Sequence, residues 1–192
     1  VDVPVTADIE SGFAADAEGV GQTVAAVIEA GAIGVNIEDG VREPAEHAER
    51  IAAARQAADA AGIPLYINAR TDVFLFGLGE PENRLDETLA RAERYLEAGA
   101  SGIFVPGVVV PETVAALAEG IQAPINILVG PGAPSVGELA ALGVARVSLG
   151  SGIAEAAYGL VRRAAEELAA SGTYTTVSEA IDYGELNKLM GR

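Results

Sequence analysis

Short runs of β-branched and apolar residues alternate with alanine-rich stretches of helical periodicity along nearly the whole chain, and this alternation restricts the fold more than any other feature. The strands read as Val3–Ala7, Ile33–Ile37, Pro64–Ala69, Gly102–Val105, Pro124–Val129 and Arg146–Leu149. Helical patterns fill the intervals at Gly19–Ala30, Pro44–Ala61, Asn83–Ala98, Pro111–Gly120 and Ser135–Leu142. Several of them close on Ala-Gly or Leu-Gly, a usual helix stop. Strands joined by crossover helices run parallel, so the pattern predicts an α/β fold with helices outside a parallel sheet. A chain of 192 residues, 50% hydrophobic, can bury one substantial core, and a single domain over 1–192 is expected. Past the last strand, Ile153–Ala170 reads as a long helix and Val177–Met190 as a second helical segment, together a C-terminal extension over 153–192.

The strand ends carry the chemistry. Asp8 and Glu10 follow the first strand, and Glu38 and Asp39 follow the second. Four carboxylates gathered at one end of a parallel sheet need a proton or a cation to stay together, and that cation is read as Mg2+. Asn68 and Arg70, Pro106, Asn126, and Ser148 with Ser151 stand at the ends of the later strands. Barrels and doubly wound sheets alike build their sites on that edge.

Composition narrows the partners and the reaction. A formal net charge of −16 excludes nucleic acid and anionic membrane as natural partners, since both need clustered basic side chains. A small anionic substrate then needs local help from a metal or a buried arginine. No apolar run approaches the ~18 residues that span a bilayer, and Val1-Asp2-Val3-Pro4 carries no basic flank, so a cytoplasmic location is expected. Cysteine is absent, Lys188 is the only lysine, on a helix face expected to be solvated, and His47 is the only histidine. His47 falls in the polar helix opening Glu43–Arg50 and is expected to be exposed. Catalysis must therefore rest on carboxylates, arginine, amides, hydroxyls and a metal.

In the segments Ala7-Asp8-Ile9-Glu10-Ser11-Gly12-Phe13, Gly34-Val35-Asn36-Ile37-Glu38-Asp39-Gly40, Asn68-Ala69-Arg70-Thr71-Asp72 and Pro124-Ile125-Asn126-Ile127-Leu128, the chain resembles the isocitrate lyase / phosphoenolpyruvate mutase superfamily, most of all its bacterial phosphoenolpyruvate phosphonomutase-like branch. The resemblance implies a (β/α)8 TIM-type barrel whose first two βα units are missing from this chain. It places metal ligands for Mg2+, or Mn2+, at Asp8, Glu10 and Glu38, catalysis at Glu38, Asp39 and Arg70, and substrate binding at Arg70 and Asn126. Two departures stand out. The loop Gly40-Val41-Arg42-Glu43-Pro44 lacks the Lys-Arg-Cys-Gly-His of the isocitrate and methylisocitrate lyases and the gating lysine and asparagine of the mutase. Phe104-Val105-Pro106-Gly107 lacks the glutamate or histidine that some relatives place there.

What the resemblance implies is a Mg2+-dependent carbon–carbon lyase acting on a small oxaloacetate- or malate-like acid through an enolate. The alternatives are phosphoenolpyruvate/phosphonopyruvate P–C chemistry, a barrel that binds metal or carboxylate without turnover, and phosphate binding at Leu149-Gly150-Ser151-Gly152. Gly77-Leu78-Gly79-Glu80-Pro81 and Gly130-Pro131-Gly132-Ala133-Pro134 serve either as lids or as plain turns. The tail either packs on its own barrel or is exchanged within a homotetramer, the assembly usual among such relatives.

Overall fold

The computed structural model describes residues 2–191; Val1 and Arg192, the ends of the expected single domain, lie outside the described residues. The chain runs β1 (Thr6–Asp8), α1 (Ala17–Glu29), β2 (Gly34–Glu38), α2 (Pro44–Ala60), β3 (Tyr66–Arg70), α3 (Arg84–Glu97), β4 (Gly102–Val105), α4 (Pro111–Gly120), β5 (Ile125–Leu128), α5 (Val136–Ala141) and β6 (Arg146–Ser148). Two further helices follow, α6 (Gly152–Ser171) and α7 (Tyr183–Leu189). All six strands pair in parallel in the order β1-β2-β3-β4-β5-β6. The sheet is curled as in part of a TIM-type barrel: Arg146 on β6 brings its guanidinium to 3.5 Å from Thr6 Oγ1 on β1 and from Asn36 Oδ1 on β2.

Strand side chains alternate between two faces, and here the faces differ sharply in chemistry. Val35, Ile37, Ile67, Ala69, Ile103, Val105, Ile125 and Ile127 are buried with Val20, Val24, Ile51, Ala54, Val114, Leu117 and Leu139 of the helices. This is the core, and each of its larger aliphatic side chains contributes about 1.5–3 kcal/mol by leaving water. The opposite, concave face carries Asn36, Glu38, Asn68, Arg70, Phe104, Asn126, Arg146 and Ser148. Polar groups on that face find partners in one another.

Local signals set the element ends. Asp16 accepts from Gly19 N at 2.9 Å and starts α1 earlier than its apolar periodicity indicates. Ser135 and Glu138 form a reciprocal capping box on α5. β1 is confined to Thr6–Asp8 although the expected strand begins at Val3; before Thr6 only Val5 O joins the ladder, accepting from Ile33 N.

The chain divides into one compact unit ending at Ser148 and another beginning at Leu149. In the second, α6 ends at Gly172, whose φ of 65° is the left-handed conformation glycine adopts freely. Glu167 then accepts from Thr173 Oγ1 at 2.7 Å and from the backbone N–H groups of Thr175 and Thr176, both at 2.8 Å. The expected helix over Val177–Met190 is shorter, because Asp182 caps a new start by accepting from Gly184 N and Glu185 N. Lys188 is exposed on α7, as expected.

Candidate active site

The register of the sheet assembles the site. Asp8 pairs with Asn36, Asn36 with Asn68, Glu38 with Arg70, and Arg70 with Phe104. Each pairing on the concave face is matched by a side-chain contact. Asn36 Nδ2 lies 3.5 Å from Asp8 Oδ2, Asn68 Nδ2 donates to Asn36 Oδ1 at 2.9 Å, and Arg70 Nη1 meets Glu38 Oε2 at 2.7 Å. The Arg70 guanidinium also stands 5.8 Å from the centre of the Phe104 ring, within cation–π range. Its Nε donates to Asp72 Oδ1 at 2.7 Å, and the Asp72 side chain is fully buried. Asp72 belongs to a motif quoted above yet received no role there.

Asp8 and Glu10 stand on the turn that leaves β1. Asp8 Oδ1 accepts from Glu10 N at 2.9 Å, and Glu38 N donates to Glu10 O at 2.8 Å, extending the ladder past the strand. Glu10 and Phe13 take φ of 48° and 47°, a region unusual for side chains that are not glycine. Gly12, at φ 101°, has no room for a Cβ, which would fall 2.5 Å from Val20 Cγ2. The turn is held from below by Arg50 of α2, whose guanidinium donates to the carbonyls of Ser11, Ala14 and Ala15 at 3.0, 3.1 and 2.7 Å.

Charge is concentrated here. Partial burial holds the Glu38 carboxyl above the ordinary carboxylate range, Arg70 pulls it back, and the neighbouring anions Asp72, Asp8 and Glu10 push it up. Burial raises Asp72 as well, against the hydrogen bond and charge of Arg70. Asp8 and Glu10 are exposed and Glu38 is half-buried. Among the described residues no three acidic, histidine or cysteine side chains converge as a ready cation cage.

One expected site residue lies apart from the concave face, and one expectation of exposure is corrected. Asp39 lies on the face opposite Glu38: it is fully buried and bonded to Tyr95 and Arg91 of α3, away from the concave face. Its side chain shares the face of Ile37 because strand residues alternate, so it touches no substrate-facing group directly. His47 is also fully buried rather than exposed, packed edge-on to Tyr95 with ring centres 4.7 Å apart. Burial lowers its pKa to about 4, so it stays neutral. Asn126, the expected substrate donor, is buried on the concave face of β5, where it exchanges hydrogen bonds with Ser148 Oγ at 3.0 and 3.2 Å rather than meeting Arg70.

The first glycine loop and the Gly-Ser turn also find their places. Arg84 donates to the carbonyls of Gly77 and Gly79 at 3.0 and 3.3 Å, which ties the first glycine loop down as a turn. In the turn 149–152, Ser151 Oγ donates to Glu155 Oε1 at 2.6 Å, and that acid in the first turn of α6 takes up the helix-end field an anion would use.

The phosphoenolpyruvate phosphomutase family profile matches residues 1–169. The chain belongs to this family. An uncharacterized protein of Mycobacterium tuberculosis is 36% identical over 151 residues, which cover 77% of this chain and 54% of that protein. The 2-methylisocitrate lyase of Escherichia coli (strain K12) is 31% identical over 134 residues, covering 64% of this chain and 43% of the enzyme. The chain thus spans about half the length of the curated relatives it matches. A crystal structure of a candidate lyase/mutase from Burkholderia cenocepacia J2315 superposes with a TM-score of 0.90 at 37% identity, over 99% of this chain and 70% of that one. Structures of a 2,3-dimethylmalate lyase and of an oxaloacetate acetylhydrolase bound to oxalate share the fold, with TM-scores of 0.82 and 0.84 at 24% identity, each covering 98% of this chain and 67% of theirs. Superfamily membership, expected from the four motifs, is thereby established.

Proposed function

We propose that the protein is a Mg2+-dependent lyase that cleaves a carbon–carbon bond in a small 2-oxo or 2-hydroxy dicarboxylate. The observation that carries this reading is the Glu38–Arg70 pair at 2.7 Å, on adjacent parallel strands, with Asp8 and Glu10 beside it on the same edge. Asp8, Glu10 and Glu38 supply hard oxygen donors with mutual repulsion to relieve, which fits Mg2+, a cation that keeps several waters and needs few direct ligands. When bound there, the cation supplies Lewis-acid stabilisation of negative charge on the substrate oxygens.

The chain's own groups do the rest. Asp72 anchors Arg70 by Nε and Glu38 meets Nη1, so Nη2 is the group that can meet a substrate carboxylate. With a 2-hydroxy acid, the hydroxyl proton passes to a carboxylate for which Glu38 is the best placed, its affinity for protons already raised by burial. The C2–C3 bond breaks, the hydroxyl carbon becomes a carbonyl, and the electron pair stays on the departing acid fragment as an enolate, which then takes up a proton. Arg70, fixed before the reaction, offsets the charge that develops.

P–C bond chemistry on a phosphonopyruvate-like acid is the second reading, favoured by the family the profile names. Two further βα units would complete the curled sheet as a closed eight-stranded barrel, and the exposed apolar side chains Ile153, Val161 and Leu168 of α6 support a homo-oligomer in which this helix is exchanged. The test is a panel of oxaloacetate, malate-type acids and phosphonopyruvate, with and without Mg2+, followed by detection of the C1–C2 fragment: oxalate from oxaloacetate, glyoxylate from malate, and pyruvate from a 2-methylmalate or from phosphonopyruvate. Metal-dependent release of the C1–C2 fragment from a hydroxy- or oxo-dicarboxylate supports the lyase; turnover of phosphonopyruvate alone supports the second reading.

A further inference from the structure

We propose that Asp39, Tyr95 and Arg91 form a positioning relay that fixes Arg70, and through it Glu38, from the helix side of the sheet. The inference rests on the reading of Glu38 and Arg70 as the substrate-facing pair. Tyr95 OH donates to Asp39 Oδ2 at 2.7 Å and Arg91 Nη1 to the same oxygen at 2.9 Å. Asp39 Oδ1 accepts from Asp72 N at 2.9 Å, Asp72 Oδ1 accepts from Arg70 Nε at 2.7 Å, and Arg70 Nη1 meets Glu38 at 2.7 Å. The path from α3 to the concave face is an unbroken run of short hydrogen bonds that crosses the sheet at the turn after β3.

The order of charges explains why each member is needed. Arg91 lies between Glu87 and Asp39, and Arg70 between Asp72 and Glu38. The two buried carboxylates Asp39 and Asp72 are linked by a backbone N–H instead of facing each other. Burial and the adjacent Asp39 keep the Tyr95 hydroxyl protonated, so it remains a donor. A buried ionic cluster of this kind is a weak source of net stability, since hydrophobic groups of the same volume often serve as well. What it does supply is one orientation for a long, flexible arginine, and a displacement of about 1 Å at a reacting centre can cost two orders of magnitude in rate.

The test uses the full-length protein and three variants. Tyr95→Phe removes one hydroxyl and keeps the ring; Arg91→Lys keeps the charge and loses the fork; Val114→Ala truncates a buried side chain of α4, outside the relay. With the acid that the wild type cleaves, the relay predicts a fall of about tenfold in kcat for Tyr95→Phe, the scale seen when groups behind a ligand are lost. Oxalate, titrated calorimetrically with Mg2+, should bind correspondingly less tightly, and Val114→Ala should change neither although it too loses stability. Equal losses in Val114→Ala, or an unchanged kcat and oxalate affinity in Tyr95→Phe, would overturn the relay. Should the wild type cleave none of the acids, the lyase reading fails on its own; the crystal structure of Tyr95→Phe then decides the relay. A displaced Arg70 supports it, and both 2.7 Å contacts of Arg70 intact overturn it.

Discussion

At the scale of single residues, two neighbours in sequence, Glu38 and Asp39, are expected to respond in opposite ways to loss of charge. Asp39 neutralises Arg91 in a fully buried setting. Asp39→Ala should therefore destabilise the fold by about 3–5 kcal/mol in chemical denaturation, because Tyr95 OH and Asp72 N lose their buried acceptor and Arg91 keeps only the more exposed Glu87. Glu38 prefers its neutral form more than a solvated glutamate does. Glu38→Gln should leave stability unchanged or higher, and a loss above about 1 kcal/mol would contradict that electrostatic account. His47 adds a pH dependence. Its pKa in the fold is about 4 against 6.5 for the free side chain, so the unfolded chain takes up the proton first as acid is added. The stability it contributes is present above pH 6.5 and drains away towards pH 4, by about 3 kcal/mol over the window. Denaturation curves at pH 7 and pH 5 should show this slope, and His47→Phe should flatten it.

Among the elements, α2 and α3 act as supports as well as cover. Arg50 of α2 satisfies three carbonyls of the β1–α1 turn that carries Glu10. Arg50→Met should cost about 3 kcal/mol, since three part-buried carbonyls lose a charged donor together. The turn should exchange its amide hydrogens faster, with residues 9–16 the segment to follow. These supports explain what was legible beforehand and what was not. The six strands follow from β-branched runs set between alanine-rich helices, and their polar ends follow from the same alternation. The face of Asp39 was also readable: Ile37 is apolar and points to the helices, so two residues on Asp39 must point there too. The partners Arg91 and Tyr95, 52 and 56 residues away, were not, because helical periodicity gives a buried face without naming the strand end it meets. His47 was misjudged for the same reason. Its sequence neighbours Glu46 and Glu49 are exposed while the ring rests on Tyr95.

On the scale of the whole molecule, the parallel sheet must be shielded at its edges and α6 must find cover for its apolar side chains. Among the described residues no helix is long and apolar enough to cross a membrane. Sedimentation of the full-length protein should give a multiple of the single-chain mass, with a tetramer expected. The pair Val161→Glu and Leu168→Glu, on exposed positions of α6, should lower that mass without unfolding the unit that ends at Ser148. The central claim, that one edge of the curled sheet joins Glu38, Arg70 and a divalent cation for bond cleavage, is tested most directly by comparing wild type with Glu38→Gln for Mg2+-dependent cleavage of the dicarboxylate that the wild type turns over. Metal-dependent turnover that Glu38→Gln reduces at least a hundredfold while the fold keeps its stability is the predicted result. Turnover that persists in Glu38→Gln, or that is indifferent to Mg2+, would contradict the account.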